Sequence, residues 1–334
     1  MSQAYTNSKT IMKKIFITFF AYLFFCNYLL ASEIETQSVI VWEVKSQSRT
    51  MYFVGEIHKI EKSVAGKVSN NLAERIFNLS SKVLTENLIP EKPPLPMIVK
   101  NSNRLDPKIW KNFEKSLFDA FDYISAGKPK DKQDSIYRGL LNDFDHNEIH
   151  GVIEGAGLFV AAKIIKKQRE NIQAIDGFLG ASLLDLEAKN TEKKVQPIET
   201  IEEKNLLRKT HCNGAEDIEN AFLISIELLK IDPEKPHPVK QLTRWFLDLQ
   251  KSENAMTAEL PKFAEISFTE KCDLAPRNKL WYPTILKSLT DPGPAVSVFA
   301  GVGHFLGKEG LFNMLQKQGL DLKIRQVTLL DFNL

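Results

Sequence analysis

Two segments of this sequence end in a histidine three residues after a glycine: Gly55-Glu56-Ile57-His58 and Gly301-Val302-Gly303-His304. An imidazole can ligate a divalent metal or shuttle protons near neutral pH. Glycine just upstream lets the chain turn sharply or lets a ligand approach the backbone closely. The chain has six histidines, so two in matching contexts stand out. Two imidazole nitrogens and one carboxylate make a metal site poor in protein ligands, with positions left open for water. Glu86, closing Val83-Leu84-Thr85-Glu86, is the carboxylate best placed to complete that set. Either histidine alone also fits a cap or a core position, and G-x-x-H arises easily by chance. Only the matched pair points to a metal.

The elements that must position these groups can be read from pattern. Thr50–Val54 and Ala295–Ala300 are apolar, β-rich runs, so each histidine stands just beyond the C-terminal end of a strand. Open α/β sheets assemble their ligand crevices there. Val39–Val44 and Thr50–Val54, joined by a short polar turn, predict a hairpin. Val68, Leu72, Ile76 and Leu79 recur at helical spacing before the Val83–Glu86 strand. Strand, helix, strand is a right-handed crossover, which makes the strands ending near Gly55 and Glu86 parallel. Val195-Gln196-Pro197-Ile198 is a further strand with Glu199 at its end, and proline confines it to an edge or a bulge. Glu199 has a plainer reading as part of a helix start, because Thr200 and Glu203 form a capping box. Arg277-Asn278 opens another helix, where arginine holds an anionic substrate group or a site carboxylate, or lies exposed. His146 and His150, His211 beside Cys212, and His237 between two prolines are weaker candidates. There is no Gly-x-Ser-x-Gly elbow and no His-Glu-x-x-His helix.

The 334 residues suffice for one large or two ordinary domains, with the 43% hydrophobic and 26% charged composition of a globular protein. A net charge of +2 demands neither nucleic acid nor an anionic membrane as partner. Pro90, Pro93, Pro94 and Pro96 mark an irregular connector, and Trp110, Phe113, Leu117 and Phe121 mark a helix. Gly151–Lys167, Ala181–Lys189 and most of 201–288 also read as helical. After the Ala295–Ala300 strand come a helix over Lys308–Gln318, a C-cap glycine at Gly319 and a last strand, Leu322–Val327. The expectation is an α/β fold with a mixed central sheet built from both ends of the mature chain. It spans 33–334 as one domain with helical insertions about 87–170 and 201–288.

Residues 1–32 read as a signal peptide: Met12-Lys13-Lys14, the apolar run Ile15–Leu30, then Ala31-Ser32, with Met12 the expected true start. An uncleaved anchor is the alternative. After cleavage no stable membrane insertion is expected, and the product is periplasmic or secreted. In that oxidising setting Cys212 and Cys272 either pair, contributing about 4 kcal/mol by loop closure, or are unrelated buried thiols.

Taken together these segments resemble the TraB/PrgY/GumN family, which is related to the Tiki metalloproteases. The likeness runs through Val41-Trp42-Glu43-Val44, Met51 to His58, Lys82 to Asn87, Lys194 to Thr200 and Arg277 to Trp281. It is most specific at Phe299-Ala300-Gly301-Val302-Gly303-His304-Phe305-Leu306-Gly307-Lys308-Glu309-Gly310-Leu311. Glu56 departs from the family pattern, standing where a small hydroxyl residue is usual. Pro197-Ile198-Glu199 replaces a Leu-Glu context, and the family's acidic residue before the central helix is not evident around Gly180-Ala181-Ser182. The resemblance implies a divalent-metal-dependent peptidase acting on a peptide or protein. His58 and His304 would bind manganese, cobalt or zinc, with Glu86 as third ligand or general base. Glu199 would hold a histidine in its tautomer, and Arg277 would bind a substrate carboxylate or an oxyanion. The alternative is a non-catalytic binder of a peptide or a haem-like group, walled by Trp110, Phe113, Phe121, Phe222, Trp245 and Phe246.

Overall fold

The computed structural model describes residues 36–65, 67–86, 106–131, 174–176, 178–190, 193, 195–211, 219, 222–223, 226–227, 229–230, 238–252, 258–261 and 273–332. Residues 1–32, read as a signal peptide, the helix expected at Gly151–Lys167, His146, His150, His237 and all three cysteines lie outside them. Among the described residues no helix is long and apolar enough to cross a membrane.

In chain order the elements are β1 (Ile40–Lys45), β2 (Thr50–Glu56), β3 (Lys59–Glu61), α1 (Lys62–Ala65), α2 (Asn71–Leu79), β4 (Lys82–Thr85) and α3 (Pro107–Ser125). They continue with β5 (Ala174–Asp176), α4 (Phe178–Lys189), β6 (Val195–Pro197), α5 (Ile201–His211), α6 (Pro238–Gln250) and α7 (Ala275–Thr290). The chain closes with β7 (Val296–Gly301), a 3₁₀ turn (Val302–His304), α8 (Leu311–Gln316) and β8 (Lys323–Val327).

Six strands form one mixed sheet in the order β6-β4-β7-β2-β1-β8. β6, β4, β7 and β2 run parallel, and β1 and β8 are antiparallel additions. The α/β expectation therefore holds, with N-terminal and C-terminal strands interleaved at the centre of the sheet. Successive residues of a strand face opposite ways, so each central strand feeds two cores. Trp42, Met51, Phe53, Leu84, Val298 and Ala300 pack one face with Phe246 of α6, Trp281 and Ile285 of α7, and Leu311 and Phe312 of α8. Val41, Val54, Val83 and Phe299 pack the other face with Leu72, Ile76 and Phe77 of α2 and Leu183 of α4. Burial on both faces explains why β2 and β7 read as near-continuous apolar runs rather than alternating ones.

β6 is an edge strand, as its proline requires. Its Val195 N–H donates to Glu187 Oε1 at 3.3 Å and Pro197 has no N–H, which blunts that edge against further pairing. The pattern did not reveal β3 and β5, which pair antiparallel as a separate two-stranded sheet with Lys59 opposite Asp176. α8 is shorter than the Lys308–Gln318 reading. Gly310, extended at φ −75° and ψ 155°, delays its start to Leu311, and it ends at Gln316 with Lys317 as C-cap, so Gly319, at φ 66°, closes the turn beyond it rather than the helix itself.

Candidate metal centre

The four parallel strands deliver their C-terminal ends to one edge, and each carries a polar residue there. Glu199 follows β6, Glu86 follows β4, Gly301 ends β7 with His304 closing the turn beyond it, and Glu56 ends β2 just before His58. Register fixes their order: Thr85 pairs with both Pro197 and Phe299, and Glu56 with Gly301. Three side chains named from sequence meet. The Glu86 carboxylate lies between the imidazoles, its Oε1 3.1 Å from His58 Nε2 and its Oε2 3.2 Å from His304 Nε2. Glu86 and His304 are each 1% exposed, whereas the His58 side chain is 55% exposed and forms the mouth of the site.

The glycine of the second motif is needed for close approach rather than for a turn. Gly301 is not among the glycines with positive φ. A Cβ on it would sit 3.2 Å from His58 Nε2 and 3.8 Å from Glu86 Oε1, and its N–H donates to Glu86 Oε1 at 3.2 Å. A side chain here would wedge the first histidine away from the carboxylate.

Each ring is held from behind. His58 Nδ1 lies 2.6 Å from Glu56 Oε1, and His304 Nδ1 lies 2.7 Å from Asn278 Oδ1. The Asn278 amide has one possible orientation, because its Nδ2 donates to the carbonyls of His304 at 3.1 Å and Glu309 at 2.8 Å. Its oxygen must therefore accept the His304 Nδ1–H, which leaves the lone pair on Nε2. Trp281 stacks on the His304 ring with centroids 4.1 Å apart and further fixes its plane.

Arg277 holds site carboxylates, one of the roles read for it, and Glu199 departs from the role expected of it. Glu199 touches neither histidine. Its carboxylate accepts from Arg277 Nε at 2.9 and 3.0 Å, from Arg277 Nη2, and from Trp281 Nε1 at 2.9 Å. Arg277 also donates from Nη2 to Glu86 Oε2 at 3.1 Å and faces Asp273 from Nη1 at 3.6 Å. It is 3% exposed with its donors committed inside the protein, so it does not face an incoming substrate. The tautomer contacts assigned to Glu199 come instead from Glu56 and Asn278. Thr200 and Glu203 do form the reciprocal capping box, at 2.8 and 3.1 Å, which anchors the chain immediately after Glu199.

The charges follow from these contacts. Burial works against the His58 imidazolium, yet Glu86 and Glu56 outweigh it and hold the pKa well above the usual histidine value. Burial likewise opposes Glu86 ionisation, but His58 and His304 overcome it and keep the carboxyl well below its ordinary range. His304 goes the other way, pushed down by burial and by Arg277. Burial lowers Arg277, but Glu199 and Glu86 more than restore it.

Among the described residues there is no group of three or more His, Cys, Asp or Glu side chains placed so that it could hold a metal ion as it stands. The donor set nevertheless suits a divalent ion. His304, with Nδ1 on Asn278, presents Nε2 to Glu86 Oε2 at 3.2 Å, and His58, with Nδ1 on Glu56, presents Nε2 to Glu86 Oε1 at 3.1 Å. Ligand atoms bound at about 2.0–2.2 Å to one ion sit about 3 Å apart when adjacent, close to the separations on both sides of Glu86.

Of the aromatic residues read as a ligand wall, Phe222 and Phe246 are taken up in packing. Phe222 packs against Trp110 and Phe113 with centroids 6.0 and 4.9 Å apart, and Phe246 is fully buried in the main core. His211 is exposed at the end of α5 and contacts Thr210 and the Leu207 carbonyl, away from the centre. Sequence reasoning missed Asn278 and Glu56 as ring holders, although Glu56 stood out as an unusual acidic residue beside a histidine.

A family model described as the TraB/PrgY/gumN family matches residues 40–324. No curated protein and no solved structure matches the chain. The matched span contains the whole β6-β4-β7-β2 edge and all five residues singled out on it, and the chain belongs to the TraB/PrgY/gumN family.

Proposed function

We propose that this chain is an exported, metal-dependent hydrolase acting on peptide bonds, with its centre at the β4-β7-β2 edge. The observation that carries the reading is the convergence of His58 Nε2 and His304 Nε2 on the two oxygens of the buried Glu86 carboxylate, at 3.1 and 3.2 Å. His58 Nε2, His304 Nε2 and Glu86 would hold the ion. Manganese, cobalt and zinc all accept such nitrogen–oxygen ligation. When bound, a divalent ion supplies Lewis acidity and makes water a competent nucleophile near neutral pH.

The chain's own groups have separable tasks. Glu86 is held ionised, which suits it to ligation rather than to taking up a proton. Asn278 and Trp281 fix the buried ring, and Arg277 with Glu199 anchors Glu86 from the β6 side. His58 lies at the solvent mouth, so a peptide enters past it. A peptide-library digestion by the processed chain from Ser32 onward tests the reading. Cleavage should disappear with chelator, return on adding manganese, cobalt or zinc, and be absent in His304→Ala. Chelator-insensitive cleavage, or none under any metal, would count against it.

A further inference from the structure

We infer that Glu56 is a positioning residue that this chain uses to aim His58 at Glu86, an inference that rests on the metal-centre reading above. His58 is the only one of the three converging side chains that is largely exposed, and it lies in a stretch that no helix holds. Left to itself, an exposed ring samples several rotamers and both tautomers. Glu56 removes that freedom. It is the last residue of β2, pinned by its register against Gly301, and its side chain is 1% exposed. Its Oε1 lies 2.6 Å from His58 Nδ1, a charge-assisted contact that places the proton on Nδ1 and directs Nε2 to Glu86 at 3.1 Å. Gly301 clears the space into which that nitrogen points. Glu56, the imidazole and Glu86 thus form one chain of contacts, of the kind by which outer groups orient metal-binding histidines. A hydroxyl at position 56 is too short to repeat the contact from the same backbone position.

The test uses two variants of the full chain, Glu56→Gln, which keeps an acceptor oxygen at the same reach, and Glu56→Ser, which does not. The first readout is the ring ¹⁵N shifts of His58 in chelator-treated protein, at a pH where the ring is neutral. Wild type and Glu56→Gln should show the Nδ1–H tautomer, and Glu56→Ser should lose it. The second readout is zinc affinity by calorimetry, where Glu56→Ser should weaken binding about 10- to 100-fold and Glu56→Gln much less. Thermal unfolding of each metal-free variant separates a loss of fold from a loss of aim. An Nε2–H tautomer in wild type overturns the inference, as does equal zinc affinity in wild type and Glu56→Ser. If wild type bound no zinc yet kept the Nδ1–H tautomer through Glu56, the metal reading would fail while the positioning role survived.

Discussion

Replacing Arg277 with methionine keeps an unbranched apolar stem and removes the guanidinium with its charge. In the folded protein that charge lies within 3.1 Å of Glu86 and within 3.0 Å of both Glu199 oxygens, with the guanidinium 4% exposed. Glu86 and Glu199 are themselves 1% and 2% exposed, so neither can recover its lost partner by turning to water. Removing one member of such a buried ionic set costs about 3–5 kcal/mol, because the other members remain desolvated and unpaired. For a domain of this size each kcal/mol lowers Tm by roughly 2–4 °C, so the expected drop is about 10 °C. Urea unfolding of chelator-treated protein measures it directly. Glu199→Gln should be destabilising alone, and its effect should shrink by more than about 1 kcal/mol when Arg277 is already methionine. Additivity of the two changes within about 0.5 kcal/mol, or an Arg277→Met variant as stable as wild type that only raises KM, would refute this assignment. In the second case Arg277 would be a substrate-binding residue after all.

Other expectations follow from the same geometry. Gly301→Ala introduces a Cβ 3.2 Å from His58 Nε2; the exposed ring can yield, so unfolding should change by less than about 1 kcal/mol while zinc affinity falls. Asn278→Ala strips two buried carbonyls and the His304 ring of partners, and denaturation should show a loss of about 1–3 kcal/mol. In metal-free protein the depressed Glu86 contributes stability above the ordinary carboxyl range, and that contribution disappears as pH falls through its folded value. The raised His58 contributes below about pH 6.5 and loses its contribution as pH rises through its folded value. Urea midpoints against pH should therefore form a plateau, and His58→Ala should abolish the alkaline decline.

Much of the site was legible because strands encode position strongly. Two apolar runs ending in G-x-x-H, and two more ending in Glu86 and Glu199, placed four polar groups at strand ends, and parallel order gathered them on one edge. Pro197 announced an edge strand because it cannot donate to a ladder. The partnerships were harder to read. Arg277 meets Glu199 and Glu86 across 78 and 191 residues, and no local pattern records such a contact. The role of Asn278 depends on two carbonyls supplied by a distant turn. β3 and β5 are three residues each, too short to display a period.

The central claim concerns two imidazoles and one carboxylate sharing one ion, and X-ray absorption on chelator-stripped, zinc-reloaded protein addresses it most directly. The edge should bind one zinc per chain with two histidine nitrogens and at least one oxygen in its shell, and His304→Ala should lose one nitrogen or the metal altogether. A shell without histidine, or one left unchanged by His304→Ala, would contradict it.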